Sequence, residues 1–197
     1  MRNNYCKLAM KFALQSLRRV GNGVNYQCHL AETLKYGRLL RKIYGGDKEV
    51  VELACVLHDL GMKEKVENHG VLGAKMANPF LESIPRISSN KKNQILNSIA
   101  NHNKKPQLDD SLELKIVRDA DGITNLKNPT AIALLFYRSF YDEERKFLSG
   151  IKKALDRCNS TYQALVFPES KQIAKPGHVF LEIFFNDILD YFKEVQR

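Results

Sequence analysis

One apolar segment limits the folds that this 197-residue chain can adopt. Residues 50–57 read VVELACVL, where a single acidic residue interrupts an otherwise apolar run. Such a segment predicts a helix that is buried on nearly every side. Two polar residues, His58 and Asp59, follow it at once, and Leu60 and Gly61 close the element. The sequence therefore predicts a rigid, buried helix whose end delivers an imidazole and a carboxylate to one cleft.

Apolar residues recur at helical spacing along the rest of the chain, and glycine, proline and capping residues separate the segments. The predicted helices are 4–20, 25–44, 48–60, 70–78, 90–102, 112–125, 130–141, 142–165 and 177–195. The fourth is expected to stop before Pro79, and FPESKQIAKPG at 167–177 is expected to be a loop or linker. No hairpin signal and no internal repeat occurs. These patterns predict an all-α fold, a helical bundle that forms a single domain over 1–197.

Predicted caps give the boundaries of three helices. Asp47 is expected to cap the helix at 48–60, and Ser88 or Ser89 the helix at 90–102. Asp110 or Ser111 is expected to cap the helix at 112–125.

Charge and cysteine content narrow the class of partner. The formal net charge of +9 and the sequence pI of about 9.4 favour anionic partners. No run of about 18 apolar residues predicts a membrane span. Four widely spread cysteines without a CxxC motif favour a reducing compartment, and we expect a cytoplasmic protein. The acid-free, basic start could be a mitochondrial transit peptide, but its continuous apolar spacing favours an ordinary first helix.

Histidine and aspartate recur in or at the ends of successive predicted helices. They are His29, the pair His58 and Asp59, His69, His102, and the aspartates of VRDADGI, Asp119 and Asp121. A helical bundle can bring such side chains to one internal point, and imidazole with carboxylate is a ligand set of divalent transition metals. Taken singly, each histidine is more often a core or helix-end residue. Asp119 and Asp121 lie about 200° apart on a helix, and both faces look buried, so geometry leaves the choice between them open.

The order of four motifs resembles the HD-domain metal-dependent phosphohydrolases. The motifs are HDLG at 58–61, HGVLGA at 69–74, SIANH at 98–102 and VRDADGI at 117–123. The resemblance covers roughly 25–125, which we take as the HD core, with helices in 130–197 completing the bundle or forming a lid. It implies metal ligation by His29, His58, Asp59 and the aspartate that follows alanine, Asp121. His69 and His102 match positions that in some members bind a second metal and in others contact substrate phosphate.

The resemblance also implies the chemistry of the site. A divalent ion, such as manganese, iron, cobalt, nickel or zinc rather than magnesium, would activate water for hydrolysis of a phosphoester or phosphoanhydride. The implied catalytic residues are Asp59, His102 and Lys63. Substrate contacts are expected from Lys63, Lys65, His69, His102 and Arg118. Many members carry a lysine directly after the HDLG motif, where this chain has Met62, so that role would pass to Lys63 or Lys65.

The expected substrate is a small anionic phosphorylated molecule such as a nucleotide. One alternative is a signalling-nucleotide phosphodiesterase or a dinucleotide polyphosphate hydrolase, although the GYP motif of cyclic-dinucleotide enzymes is absent after His69 and Gly70. A second alternative is a non-enzymatic module that binds nucleic acid or protein. The sequence contains no nucleic-acid-binding motif that supports it. The sequence leaves the oligomeric state open.

Overall fold

The computed structural model describes residues 5–17, 23–64, 68–129, 131–133, 135 and 147–195. Helices are the only regular elements in this part of the chain, which confirms the all-α fold class. They are α1 (Tyr5–Leu17), α2 (Gly23–Tyr44), α3 (Lys48–Leu57), a 3₁₀ helix (Leu60–Glu64), α4 (His69–Glu82), α5 (Ser89–Asn101), α6 (Leu112–Lys127), α7 (Phe147–Ala164) and α8 (Pro168–Val195). None of the described helices has the length and apolar character needed to cross a membrane.

The chain divides into two compact units, Met1–Asp121 and Gly122–Arg197. In the first unit, α3 lies at the centre and packs against α1, α2 and α5, while α4 packs against α5 and the 3₁₀ helix. In the second unit, α7 packs against α8. The expectation of one domain over 1–197 stays a prediction.

Helix α3 is buried from Val50 to its end at Leu57, as the apolar run predicts. Every residue of 50–57 is buried, including Glu52, whose Oε1 accepts a hydrogen bond of 2.9 Å from Nε of Arg38. Asp47 caps the helix, and its side chain accepts from the backbone N–H groups of Glu49 and Val50, as predicted. The helix ends at Leu57 rather than at residue 60, and His58 is its C-cap.

The expected end of α4 before Pro79 is wrong, because the helix continues to Glu82 with Pro79 inside it. Proline inside a helix costs about 3 kcal/mol, since it removes one backbone hydrogen bond and crowds the preceding turn. Burial offsets that cost here. Leu81 is 1% exposed, and the ring of Phe80 stacks on Phe12 with centroids 4.8 Å apart.

The loop expected at 167–177 is also wrong, because α8 begins at Pro168 and passes through Pro176. Pro168 is the first helical residue, a position where the missing N–H costs nothing. Buried Ala174 and Leu181 hold the helix on both sides of Pro176. A Cβ on Gly177 would meet the carbonyl of Leu126, so glycine permits this close contact within the second unit.

Other predicted boundaries differ less. The helix predicted at 90–102 is α5 with Ser88 as its N-cap, and Ser111 Oγ accepts from the N–H of Leu114 at the start of α6. The helix predicted at 142–165 is α7, which begins at Phe147 among the described residues. Most of the helix predicted at 130–141 lies outside the described residues.

Glycines of the HDLG and HGVLGA motifs let the backbones of the first unit approach closely. A Cβ on Gly61 would collide with the carbonyl oxygen of His69 and lie 2.7 Å from the backbone nitrogen of Gly73. A Cβ on Gly70 would lie 2.9 Å from the carbonyl oxygen of Ala100 in α5. These contacts fix the start of α4 against the 3₁₀ helix and the end of α5.

We expect Gly61→Ala to lower the free energy of unfolding by about 1–3 kcal/mol, because the new methyl group meets backbone atoms that cannot rotate away. Gly73→Ala is the matched control on the other side of the same contact. Its Cβ would lie 3.2 Å from its nearest neighbours, and alanine is the better helix former, so we expect a smaller loss. Urea unfolding of both variants measures the difference. Equal losses would contradict the claim that Gly61 sets the backbone separation.

Candidate metal centre

Six side chains from five elements of the first unit converge at the ends of its helices. His29 comes from α2, His58 and Asp59 from the turn after α3, His69 from the first residue of α4, His102 from the residue after α5, and Asp121 from α6. His58 is fully buried, and the Asp59 side chain is only 14% exposed. The predicted convergence of histidine and aspartate is therefore present.

Four of these side chains form a first group of possible ligands. The Nε2 atom of His29 lies 3.1 Å from Oδ1 of Asp121 and 3.4 Å from Oδ2 of Asp59. It also lies 3.2 Å from Nε2 of His58. The same His58 atom is 3.5 Å from each of the two carboxylates. Two imidazole nitrogens and two carboxylate oxygens thus surround one small space.

The other oxygen of Asp59 faces a second group. Its Oδ1 atom lies 3.8 Å from Nε2 of His69 and 3.9 Å from Nε2 of His102. Those two nitrogens are 3.3 Å apart. Asp59 therefore stands between the two groups and offers one oxygen to each.

Two of the histidines are oriented in the same way. Nδ1 of His58 lies 2.8 Å from the carbonyl oxygen of Cys55, and Nδ1 of His102 lies 2.8 Å from that of Ile99. In both cases Nδ1–H donates to a carbonyl three residues earlier, which the end of a helix leaves without an intrahelical partner. That hydrogen bond directs Nε2 towards the cluster, the orientation that metal-ligating histidines adopt.

The charges of the cluster are strongly coupled. Burial lowers the pKa of His58, but the carboxylates of Asp59 and Asp121 outweigh it and raise that pKa to about 9. Burial and the neighbouring His58 lower the pKa of His102 to about 4. Burial opposes ionisation of Asp59 and Asp121, yet the adjacent imidazoles bring both pKa values below the ordinary range. Near neutral pH the metal-free cluster thus holds a cationic His58 between two carboxylates.

The spacing of the first group fits a transition metal. Nitrogen and oxygen ligands lie about 2.1 Å from zinc, so neighbouring ligands of one ion stand about 3.0–3.4 Å apart in octahedral or tetrahedral geometry. In the first group, the three separations that involve Nε2 of His29 are 3.1–3.4 Å and fall within that range, and the two between His58 and the carboxylates, at 3.5 Å, lie just above it. The second group is looser at 3.3–3.9 Å. The residues present could therefore hold a divalent metal ion.

Two residues of α6 that the sequence offered as site candidates, Asp119 and Arg118, are not among the convergent ligands of the described residues. Asp119 is fully buried and does not belong to the groups of convergent ligand atoms found among the described residues, whereas Asp121 does. The Arg118 guanidinium pairs with Asp110 at 2.7 Å and donates to the carbonyl oxygen of Asn101 at 3.2 Å. The side chain of Lys63 and the whole of Lys65 lie outside the described residues.

Sequence reasoning missed two polar residues near the site. The side-chain amide of Asn103 lies 3.4 Å from Nδ1 of His69, and Asp110 is the partner of Arg118. Asn103 directly follows His102, which was the available signal. Nothing in the sequence pattern pairs Asp110 with Arg118, because that contact depends on how the connection between α5 and α6 folds.

Metal binding should release one proton from His58. The pKa of His58 is raised above its ordinary value, so the metal-free protein keeps this proton below about pH 9, whereas a metal ligand must be neutral. Between pH 7 and 8.5 we expect the apparent manganese affinity to rise about tenfold per pH unit. Calorimetry in buffers of different ionisation enthalpy counts the released protons. His178→Gln, which removes an imidazole from the second unit, should leave the count unchanged, and a pH-independent affinity would contradict the prediction.

Comparisons with known proteins agree with this geometry. The family model of the HD domain matches residues 26–126, which contain all six side chains. Ribonuclease Y of Borrelia garinii subsp. bavariensis and that of Borreliella burgdorferi are each 34% identical over 113 residues, which is 54% of this chain. The chain spans only 20% of the length of those relatives.

A solved structure shares the fold over almost the whole chain. The crystal structure of an HD-superfamily hydrolase from Bacillus thuringiensis has a TM-score of 0.72, covers 98% of this chain, and is 99% covered in return. Its sequence identity is 20%, so this likeness concerns the fold. Because the family model matches slightly more than half of the residues, the chain belongs to the HD domain family.

Proposed function

We propose that this protein is a metal-dependent phosphohydrolase that cleaves a phosphoester or phosphoanhydride bond of a nucleotide or another small phosphorylated metabolite. Membership of the HD domain family supports a hydrolase. The observation that carries the proposal is that the Nε2 atoms of His29 and His58 lie 3.2 Å apart and each lies 3.1–3.5 Å from a carboxylate oxygen of Asp59 and of Asp121.

These four residues are the proposed ligands of the first metal. His58 and Asp59 occupy the turn after a fully buried helix, so their backbone is held in place by the core. Asp121 is preferred over Asp119, because its Oδ1 lies 3.1 Å from His29. A second ion would be held by Oδ1 of Asp59 together with His69 and His102, which supports a two-metal site.

When bound, such an ion lowers the pKa of a coordinated water and polarises a phosphoryl oxygen. The residues of this chain hold the remaining roles. Asp59 stays ionised near neutral pH because its pKa is lowered, so it acts as a ligand and orients the water. His102 is neutral there and directs a lone pair inwards, which suits a ligand or proton acceptor. Where the second ion is absent, His69, which is half-buried at the start of α4, is the proposed proton donor to the leaving oxygen.

Surface charge supports an anionic substrate. Lys104 and Lys105 are exposed and directly follow His102 and Asn103, so they lie beside the second group of histidines. Lys63 and Lys65 follow Asp59 in the sequence and are proposed to contact phosphate as well. The net charge of +9 acts in the same direction by attracting anions. A resident magnesium ion is less favoured than manganese, iron, cobalt, nickel or zinc, because imidazole donors dominate the site.

A phosphodiester of RNA is the second candidate substrate. The similarity to Ribonuclease Y favours it, although that similarity covers one fifth of those proteins. A signalling-nucleotide phosphodiester or a dinucleotide polyphosphate would use the same site with a different pocket. Binding of nucleic acid without hydrolysis remains the non-enzymatic alternative.

The metal ligands can be tested with one pair of neighbouring aspartates. We expect Asp121→Asn to lose the metal of the first group and to reduce phosphate release at least about 100-fold, because a neutral amide is a poor ligand. Asp119→Asn is the matched control, one buried aspartate on the other face of α6. Metal content by elemental analysis and phosphate release are measured on the same samples. Retained metal in Asp121→Asn, with loss in Asp119→Asn, would assign the ligand to Asp119.

The substrate class can be tested with a panel of nucleoside mono- and triphosphates, dinucleotide polyphosphates, cyclic dinucleotides and short oligoribonucleotides, each supplied with manganese. We expect the highest turnover on a mononucleotide and its loss in His58→Ala. Preferred cleavage of the oligoribonucleotide would transfer the assignment to RNA. Folded, metal-loaded protein that hydrolyses nothing, yet binds strands in the presence of a chelator, would support the binding module.

A further inference from the structure

The connection between α5 and α6 begins with a site residue and ends at a buried ion pair. His102 opens this connection, and Asp110 lies near its end. Nη1 of Arg118, from α6, lies 2.7 Å from Oδ2 of Asp110. Nη2 of the same guanidinium donates to the carbonyl oxygen of Asn101 at 3.2 Å. The Arg118 side chain therefore binds Asp110 near the end of the connection and Asn101, the residue just before its start.

The contact to Asn101 reaches His102 through a single peptide group. The carbonyl of Asn101 belongs to the peptide bond whose nitrogen is that of His102, so fixing this oxygen fixes the backbone from which the imidazole projects. Arg118 also lies one helical turn before Asp121 on α6. A rigid helix thus carries both a proposed ligand of the first group and the guanidinium that holds the residue before His102.

The surroundings of the ion pair are unfavourable for a substrate contact. The Arg118 and Asp110 side chains are 8% and 12% exposed, and Oδ2 of Asp110 also accepts from the backbone N–H of Gln107 at 2.7 Å. A phosphate that approached this guanidinium would meet the Asp110 carboxylate, a like charge that already accepts from Nη1, while Nη2 donates to Asn101 and the buried Nε has no hydrogen-bond partner among the described residues. The ion pair with Asp110 therefore argues against the sequence-based expectation that Arg118 contacts substrate.

We propose that Arg118 is a positioning residue, which together with Asp110 holds His102 in register with Asp121 rather than binding substrate phosphate. The role concerns the proposed hydrolytic site and so rests on the proposed function. The guanidinium is essential to this role, because its Nη1 donates to a carboxylate while its Nη2 donates to a backbone carbonyl.

The test uses Arg118→Met, Asp110→Asn and the double variant that carries both substitutions. Lys115→Met serves as the control. Lys115 is the matched control, because it lies one turn earlier on α6 and its Nζ donates to the carbonyl of Leu108 in the same connection, at 2.9 Å. Each protein is measured for urea stability, for kcat and KM on the best substrate with manganese, and for the NMR resonances of the His102 imidazole without metal.

We expect both single variants to lose stability, because each leaves one buried charge unpaired, and the double variant to regain most of it. In all three we expect kcat to fall about 10- to 100-fold, as displacement of a site residue by about 1 Å does, while KM changes less than about twofold. The His102 resonances should shift in all three. Lys115→Met should match the wild type in kcat and in the His102 resonances.

Two results would overturn the proposal. Recovery of wild-type kcat and His102 resonances in the stable double variant would mean that the ion pair only stabilises the fold. A raised KM with unchanged kcat in Arg118→Met, accompanied by a lowered KM in Asp110→Asn, would mean that Arg118 contacts substrate. If the wild type hydrolyses no substrate, the proposed function fails, but the His102 resonances still decide whether Arg118 positions this residue.

Discussion

The hydrogen bond between a histidine ring and the carbonyl three residues before it determines the architecture of this centre. A buried helix cannot leave its last carbonyls without partners, because water does not reach them. His58 after α3 and His102 after α5 each satisfy one such carbonyl through Nδ1. The same bond turns Nε2 inwards, so the chemistry that completes the fold also prepares a ligand. This explains why a helix as apolar as α3 ends in a polar pair.

Convergence of six polar side chains is costly for the protein unless a cation joins them. In the metal-free state, the positive charge of His58 partly compensates Asp59 and Asp121, which is why its pKa rises while those of the aspartates fall. A bound divalent ion would take over that role and would stabilise the folded state, since it binds the assembled site and not the unfolded chain. Asp59 is the residue on which both groups depend, because each of its oxygens faces a different set of histidines.

Local sequence rules located most helices but failed at two prolines. Pro79 and Pro176 both lie inside helices, although each is a helix breaker by local preference. The reason is tertiary, because buried residues beyond each proline, Leu81 and Leu181, retain the helix against the core. The caps at Asp47 and Ser88 followed the local rule, since a capping hydrogen bond involves only residues within one turn.

The sequence by itself determined the fold class and named the six side chains, because helical periodicity, motif order and residue chemistry are written along the chain. Helix geometry left Asp119 and Asp121 open and the motif resemblance favoured Asp121, while the tertiary structure brings Oδ1 of Asp121 to 3.1 Å from Nε2 of His29 and leaves Asp119 outside the convergent groups of the described residues. The tertiary structure also gave Asp59 its position between two groups and gave Arg118 its partners, Asp110 and Asn101. Those features depend on distances between helices, which backbone contacts at Gly61 and Gly70 set and which no local pattern encodes.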